Sequence, residues 1–504
     1  MSMPIRVHPY NSKVFEFRGK PIVLVTACEH YGGVMNRPFD GERYLADTAE
    51  RGINYTRLFT LFRELQSAAN PYSTCKPEST DYIAPFDRVG REPALDMQPK
   101  YDLDRWNPEF LERLHRFLSK ASECGIIVEL VLFSNTYGDD LWRLNPLHAS
   151  NNLNETESVS WYQYNTLRYP TLQRYQEAYL RRMIAEVNRY DNLLIEICNE
   201  PGGGVGAADA PEPEEVNEWL ESMIRVVREI EATLPNQHLI AGQEAFAYKL
   251  KEEEFNPIDV HQFSARSFGE MDYDVVNMHP LSNMKYAGKT YNLGRFMHAQ
   301  MRLREYRDYC LDLYREPKPL NLDEDNCATQ YRNRTGWTIH RKRAWTTIFS
   351  GAHYNLIDFS ILHCLPTGTE DSQRHLRSCI GFLARFVHTF ELVSARPLRG
   401  VAQSVPDTVC ESVFGVAGED FAAYLADERE VEDADLGSPI RGMLELKVPA
   451  AIYGVCCISP LTGAVSPEVT VASLDCRLKV ALPEFQHDIL VRVRRLDGSA
   501  QESI

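Results

Sequence analysis

Two glutamates stand where an apolar run stops. Leu193-Leu194-Ile195-Glu196-Ile197-Cys198 leads into Asn199-Glu200-Pro201, and Leu320-Asn321-Leu322 leads into Asp323-Glu324-Asp325. A carboxylate at the end of a buried strand is costly unless it is paired or used. Two such groups facing one another suit cleavage of a glycosidic bond: one carboxyl protonates the leaving oxygen and the other attacks the anomeric carbon. A separation of roughly 5–5.5 Å gives a retaining reaction and about 6.5–9.5 Å an inverting one. Glu244, after the apolar run Leu239–Gly242, is the rival nucleophile.

Other polar groups end or follow apolar runs in the same way: Glu29-His30-Tyr31, Arg57, Ser134-Asn135-Thr136-Tyr137, His279, and Asp358 with Ser360. Each has a plainer reading beside the chemical one. Glu200 could only open a loop, Arg57 could be a structural ion pair, and His279 a satisfied core histidine. His30, Tyr31, Tyr137 and Trp142 offer aromatic faces that could pack on the apolar faces of pyranose rings. Glu29-His30 raises a metal reading, but spacings such as H-x-H or H-E-x-x-H are absent, so no metal site and no cofactor are expected.

Positioning these groups at one level needs a parallel sheet. Eight short apolar runs are predicted strands: Ile22–Ala27, Tyr55–Thr60, Ile126–Phe133, Leu193–Cys198, Leu239–Gly242, Val275–His279, Leu320–Asp323 and Tyr354–Phe359. Helical periods separate them at Pro108–Glu123, Thr171–Asn188, Glu214–Leu234 and Gly336–Ser350. Ala207–Glu215 reads as an acidic loop. This alternation predicts a closed (β/α)8 TIM barrel, with an open doubly wound sheet as the other arrangement. No G-x-G-x-x-G follows the first strand and there is no P-loop, so nucleotide-binding folds lose support. After residue 390 helices stop. Short alternating segments from Phe421 to Arg494 predict a small antiparallel β-sandwich, joined through Ser394–Pro406. The predicted division is 1–390 for the barrel and 391–504 for the sandwich.

Composition narrows the partners. The 504 residues carry a net charge of −17, which disfavours nucleic acid. No apolar stretch is long enough to span a bilayer, so no membrane partner is expected. The opening MSMPIRVHPY predicts no secretory leader, and 12 cysteines without paired C-x-x-C spacing read as buried thiols. Both point to the cytoplasm. A homo-oligomer stays open.

The strand-end residues resemble clan A retaining glycoside hydrolases, the barrel superfamily of cellulases, mannanases and β-galactosidases. The resemblance covers roughly residues 10–390. It implies that Glu200 is the acid/base, Glu324 the nucleophile, Asn199 a ligand of the sugar 2-hydroxyl, Arg57 a support for the nucleophile, and His279 the histidine of the sixth strand. The opening Val14-Phe15-Glu16-Phe17 through Gly19-Lys20-Pro21-Ile22 is similar to apiosidase-like barrels, which often carry a C-terminal β-sandwich. Two departures stand out. Leu281 takes the place of an aromatic two residues after the histidine, with Tyr286 the nearest tyrosine. Asp358-Phe359-Ser360 stands where a tryptophan usually follows strand eight. The sequence therefore predicts a retaining glycosidase acting on an oligosaccharide or glycoside, with a raised pKa at Glu200. A non-catalytic carbohydrate-binding barrel and a metal-dependent barrel hydrolase are the alternatives.

Overall fold

The computed structural model describes residues 3–61, 77–203, 207–247, 266–280, 284–294, 299–329 and 331–496. Eight strands form one parallel sheet: β1 (Val25–Cys28), β2 (Tyr55–Phe59), β3 (Ile127–Ser134), β4 (Leu193–Asn199), β5 (Leu239–Gly242), β6 (Val275–Asn277), β7 (Leu320–Leu322) and β8 (His353–Ile357). Each lies beside its neighbour in the chain, and β8 returns to pair with β1 in register Tyr354 to Val25. The eight expected strands are all present, within a few residues of their expected bounds.

Between β1 and β2 no regular ladder forms. Asn54 bridges the gap with its side chain, accepting from the Val25 N–H at 3.1 Å and donating to Val23 O at 2.8 Å. The Phe59 N–H donates to His30 O at 3.0 Å. A side-chain amide thus stands in for missing backbone partners and the sheet closes as a barrel.

The lower end of the barrel is plugged. A three-stranded antiparallel sheet, Arg6–His8, Asn11–Phe17 and Lys20–Ile22, precedes β1. Its Phe15, Phe17 and Ile22 pack on Tyr55, Ile127, Leu194 and Val275, residues near the starts of their strands. Apolar burial below leaves the polar strand ends for the opposite face.

Helices cover the outside. Pro108–Glu123 starts at Asn107, whose side chain accepts from the Glu109 N–H, and turns Phe110, Leu114, Phe117 and Leu118 inward. Pro213–Glu231 starts earlier than expected. Glu212 and Glu215 form a capping box around Pro213, so the acidic loop expected over 207–215 ends at Glu212. The helix Arg334–Phe349 departs further from its expected one-sided pattern. From Ile339 onward it is buried on all sides, Arg341, Lys342 and Arg343 included.

That burial comes from the C-terminal sheets. Six strands form one of them, in the order Arg396–Pro397, Val409–Val416, Asp420–Asp427, Asp488–Arg495, Ile452–Ile458 and Val469–Ala472. Ala402–Ser404, Ile440–Lys447 and Arg477–Phe485 form the other. Leu444, Leu446, Leu478 and Val480 of the smaller sheet pack on Phe421, Ala423, Val455 and Val491 of the larger. The larger sheet turns Phe414, Tyr424 and Leu490 toward Trp345 and Phe349 of the buried helix. Val409–Val416 is covered on both faces, which is why it lacks the alternation that marks its neighbours in the sequence. Among the described residues no helix is long and apolar enough to cross a membrane.

At this seam Trp345 stacks on Tyr424 with ring centroids 5.5 Å apart. Arg341 donates twice to Asp488, at 2.8 Å each, and the Tyr424 hydroxyl adds a third bond at 2.9 Å. Asp488→Ala leaves the Arg341 guanidinium buried and unpaired. It should cost about 3–5 kcal/mol in urea unfolding, and an unchanged midpoint would show that the pair is not needed.

Candidate active site

The upper ends of the strands converge on the Arg57 guanidinium. β2 is covered on both faces, so Arg57 projects into the barrel with no exposure at all. Its Nε and Nη2 bind both oxygens of Glu196, at 2.8 and 2.6 Å. Nη2 also donates to Asn199 Oδ1 at 2.8 Å and lies 3.1 Å from Asp323 Oδ2. Nη1 donates to Glu324 Oε2 at 2.6 Å. One cation therefore gathers carboxylates from β4 and from the chain just past β7.

Glu129 of β3 sits opposite Arg57 in the β2–β3 register and lies 3.9 Å from it. It accepts from the Tyr55 hydroxyl and from Asn277 Nδ2, the latter at 2.7 Å. Asn277 in turn accepts from Asn321 at 3.2 Å. Carboxylate oxygens of Glu129, Glu196 and Asp323 lie within 4.8 Å of one another. Such a cluster has the donors of a cation site, and Arg57 already supplies a positive charge to it. Burial and the neighbouring charge of Asp323 push the Glu129 carboxyl up to about 7.

Glu200 and Glu324 meet at His279. The imidazole Nδ1 lies 2.7 Å from Glu200 Oε1, and Nε2 lies 3.9 Å from Glu324 Oε2 and 3.4 Å from Asp323 Oδ1. The Tyr137 hydroxyl donates to the other oxygen of Glu200. It also accepts from Asn199 Nδ2 at 2.8 Å. Glu200 and Tyr137 both hold positive φ, +46° and +57°. Backbone in that region is costly for residues with a Cβ, and such outliers gather at functional sites. Asn326 Nδ2 donates to Glu324 Oε1 at 3.0 Å.

The protons settle unevenly. Burial raises Glu200, but the His279 charge and the hydrogen bonds from His279 and Tyr137 outweigh it and hold the carboxyl below its ordinary value. This reverses the raised pKa expected from sequence. At Glu324 burial wins, with Glu200 and Asp323 adding like charge against His279 and Arg57, and the carboxyl is raised. Burial lowers His279, yet Asp323, Glu324 and Glu200 lift it well above the ordinary histidine value. His30 goes the other way, pushed low by burial and by Arg57.

Of the residues singled out from sequence, Glu200, Glu324, Asn199, Arg57, His279, His30 and Tyr137 are brought together. His30 Nδ1 lies 3.7 Å from Glu324 Oε2, its ring stacked 5.8 Å from Phe59. Trp142 is elsewhere engaged: Tyr164 stacks on it at 5.0 Å and its indole N–H donates to Val159 O at 2.8 Å. Its face is taken up by loop packing, which removes the expected sugar platform. Tyr286 binds Glu316 rather than a strand-end carboxylate. The position of Leu281 lies outside the described residues. Asp325 is drawn away by bidentate bonds from Arg343 at 2.8 and 2.9 Å, so of the two flanking aspartates Asp323 is the one at the site. The backbone N–H of the rival Glu244, just past β5, donates to Ser267 Oγ, while the ion pairs of Arg57 and His279 go to other carboxylates. Sequence reasoning passed over Glu129 and Glu196. A lone carboxylate inside each of two apolar strands was the signal.

The parallel eight-stranded barrel thus carries the part-buried Glu200 at the end of strand four and the buried Glu324 at the end of strand seven. The chain belongs to the cellulase family, glycosyl hydrolase family 5, whose model matches residues 18–313. It is a glycosidase, and its substrate is a carbohydrate. A protein of Bacteroides vulgatus ATCC 8482 described as a glycoside hydrolase has a similar fold, with a TM-score of 0.62 at 12% identity over 98% of this chain and 82% of that one. A glycoside hydrolase family 5 structure from the same organism is also similar, with a TM-score of 0.56 at 13% identity over 99% and 94%. No curated protein matches the sequence.

Glu129→Gln keeps the size of the side chain and removes its charge. With a value of about 7 in the fold against 4.5 ordinarily, Glu129 binds its proton more tightly when folded. The wild type therefore loses stability as pH rises through that window, and the variant does not. Its relative stability in urea should grow by on the order of 3 kcal/mol between about pH 5 and 8. A difference independent of pH would refute the assignment.

Proposed function

We propose that the protein is a retaining glycosidase in which Glu324 is the nucleophile and Glu200 the acid/base. The observation that carries this reading is the meeting of Glu200 and Glu324 at the two nitrogens of one imidazole, His279. A sugar lodged over that imidazole would have a carboxyl on each side of its anomeric carbon.

Glu324 attacks that carbon as the glycosidic bond breaks, and the leaving oxygen takes a proton from Glu200. Water then attacks the glycosyl ester, Glu200 takes its proton, and Glu324 departs as carboxylate. Arg57 supports the first step, because its 2.6 Å bond favours the ionised, attacking form of Glu324. The low proton affinity of Glu200 is compatible with its acid role. His279, driven toward its cationic form by the carboxylates around it, offers a proton at Nδ1, one 2.7 Å hydrogen bond away. Esterification of Glu324 removes a neighbouring negative charge, which then favours Glu200 as carboxylate and base. Asn199, Tyr137 and His30 are the nearby groups suited to sugar hydroxyls. The substrate class is an oligosaccharide or simple glycoside.

We place the protein in the cytoplasm, since every cysteine among the described residues is a free thiol. Residues 391–504 are read as a separate sandwich domain.

Aryl glycosides of both anomeric series, followed by NMR, test the stereochemistry: the first-formed sugar should keep the anomeric configuration of the substrate. Release of the opposite anomer would overturn the double displacement. Glu200→Gln should slow turnover of poor leaving groups by about 10²–10⁴-fold. Glu324→Gln should abolish turnover with the fold intact. Wild-type rates in either variant would sink the assignment of that residue.

A further inference from the structure

We propose that Asp323 is a positioning residue: it holds His279 as an imidazolium with Nδ1–H turned to Glu200, making His279 the store of the proton that Glu200 delivers. The proposal rests on the reading of Glu200 as acid/base and adds where its proton is kept.

The argument begins with what His279 faces. Glu200 Oε1 lies 2.7 Å from Nδ1 and Asp323 Oδ1 lies 3.4 Å from Nε2. An ionised carboxylate only accepts hydrogen bonds, and a neutral imidazole donates from one nitrogen alone. With one carboxylate 2.7 Å from Nδ1 and another 3.4 Å from Nε2, negative charge flanks the ring on both sides and favours the form protonated at both nitrogens. Asp323 is fully buried, so its charge acts through little screening. Its direction is therefore felt mainly by its two cationic neighbours, Arg57 and His279.

Arg57 does not depend on Asp323. Glu196 grips it with two oxygens, while Asn199 and Glu324 take further donors. His279 has no comparable substitute at Nε2, where Glu324 stands at 3.9 Å. The remaining charged groups around the imidazole do not replace Asp323 either. Arg57 opposes a second positive charge, His30 is held neutral by burial, and Glu129 and Glu196 lie beyond Asp323 in the carboxylate cluster.

The consequence is a choice of tautomer. As the glycosidic bond breaks, the Nδ1 proton crosses to Glu200 and passes on to the leaving oxygen, which leaves Glu200 a carboxylate and His279 neutral. Asp323 keeps the Nε2–H in place, so the proton that moves is the one beside Glu200. Reprotonation at Nδ1 resets the pair after water has been split. Asp323 touches no reacting atom in this scheme and acts through His279 alone, as carboxylates orient catalytic histidines elsewhere.

Asp323→Asn keeps the size and removes the charge. With ¹⁵N-labelled histidine, His279 of the wild type should be cationic at neutral pH, and in Asp323→Asn its titration should move to lower pH. A neutral His279 in the wild type at neutral pH, or an unmoved titration in the variant, would overturn the proposal. This measurement needs no substrate, so it stands or falls apart from the roles of Glu200 and Glu324, which the Glu200→Gln and Glu324→Gln rates decide. In kinetics, Asp323→Asn should lose about 10²-fold on alkyl glycosides, the lower end of an acid catalyst's contribution. It should lose little on dinitrophenyl glycosides, whose leaving group needs no proton. The alkaline limb of kcat/KM should move to lower pH, and Asp323→Glu, which keeps the charge, should restore it. Equal losses on both substrates with an unmoved limb would mark Asp323 as structural only. Should Asp323→Asn fail to fold, the wild-type histidine titration still decides.

Discussion

A single guanidinium holds this molecule's centre together. Arg57 is the cation around which Glu196, Asp323 and Glu324 are gathered, with Glu129 a little further off, all inside a barrel that admits almost no solvent. Four carboxylates cannot share such a space unscreened. Their arrangement is stable only because Arg57 is charged at any accessible pH, because Glu129 is pushed toward its neutral form, and because His279 is driven toward its cationic form. The same excess of negative charge that threatens the fold tunes the proton affinities of the site. Structural and chemical roles of Arg57 are therefore one role seen twice.

The barrel was legible because its strands are continuous apolar runs, and such runs are what strands buried on both faces require. Glu200 and Glu324 were legible because a charge directly after such a run is rare without a reason. The direction of the shift at Glu200 was not legible. It depends on Tyr137 and His279 arriving from two other strand ends, and no spacing in the chain announces that meeting. Trp142 misled for a related reason: an aromatic residue in a loop near a strand end looks the same in sequence whether its face is free or covered by Tyr164.

The buried helix Arg334–Phe349 shows another limit. Its sequence carries Arg341, Lys342 and Arg343 in a row, which suggests a solvent face. Each of them instead finds a partner in a different part of the fold. Arg341 reaches Asp488, Lys342 the backbone oxygen of Asp427, and Arg343 meets Asp325. Arg341 and Lys342 thereby fasten the six-stranded sheet to the barrel, and Arg343 pulls Asp325 away from the site. Periodicity describes one helix against one surface, and fails for a helix enclosed by two.

The plug at the base of the barrel carries a consequence for the birth of the chain. Phe15 stacks on His353 of β8 at 4.7 Å, and the Asn11 side chain donates to Leu392 O at 3.0 Å. Asn11 and Phe15 thus wait for partners synthesised more than three hundred residues later. Until then the floor that Phe15, Phe17 and Ile22 cover is incomplete, and closing so long a loop is slow. The barrel is sealed from below only once its last strand exists, so the emerging chain passes through a stage in which its apolar hairpin must be kept from other surfaces.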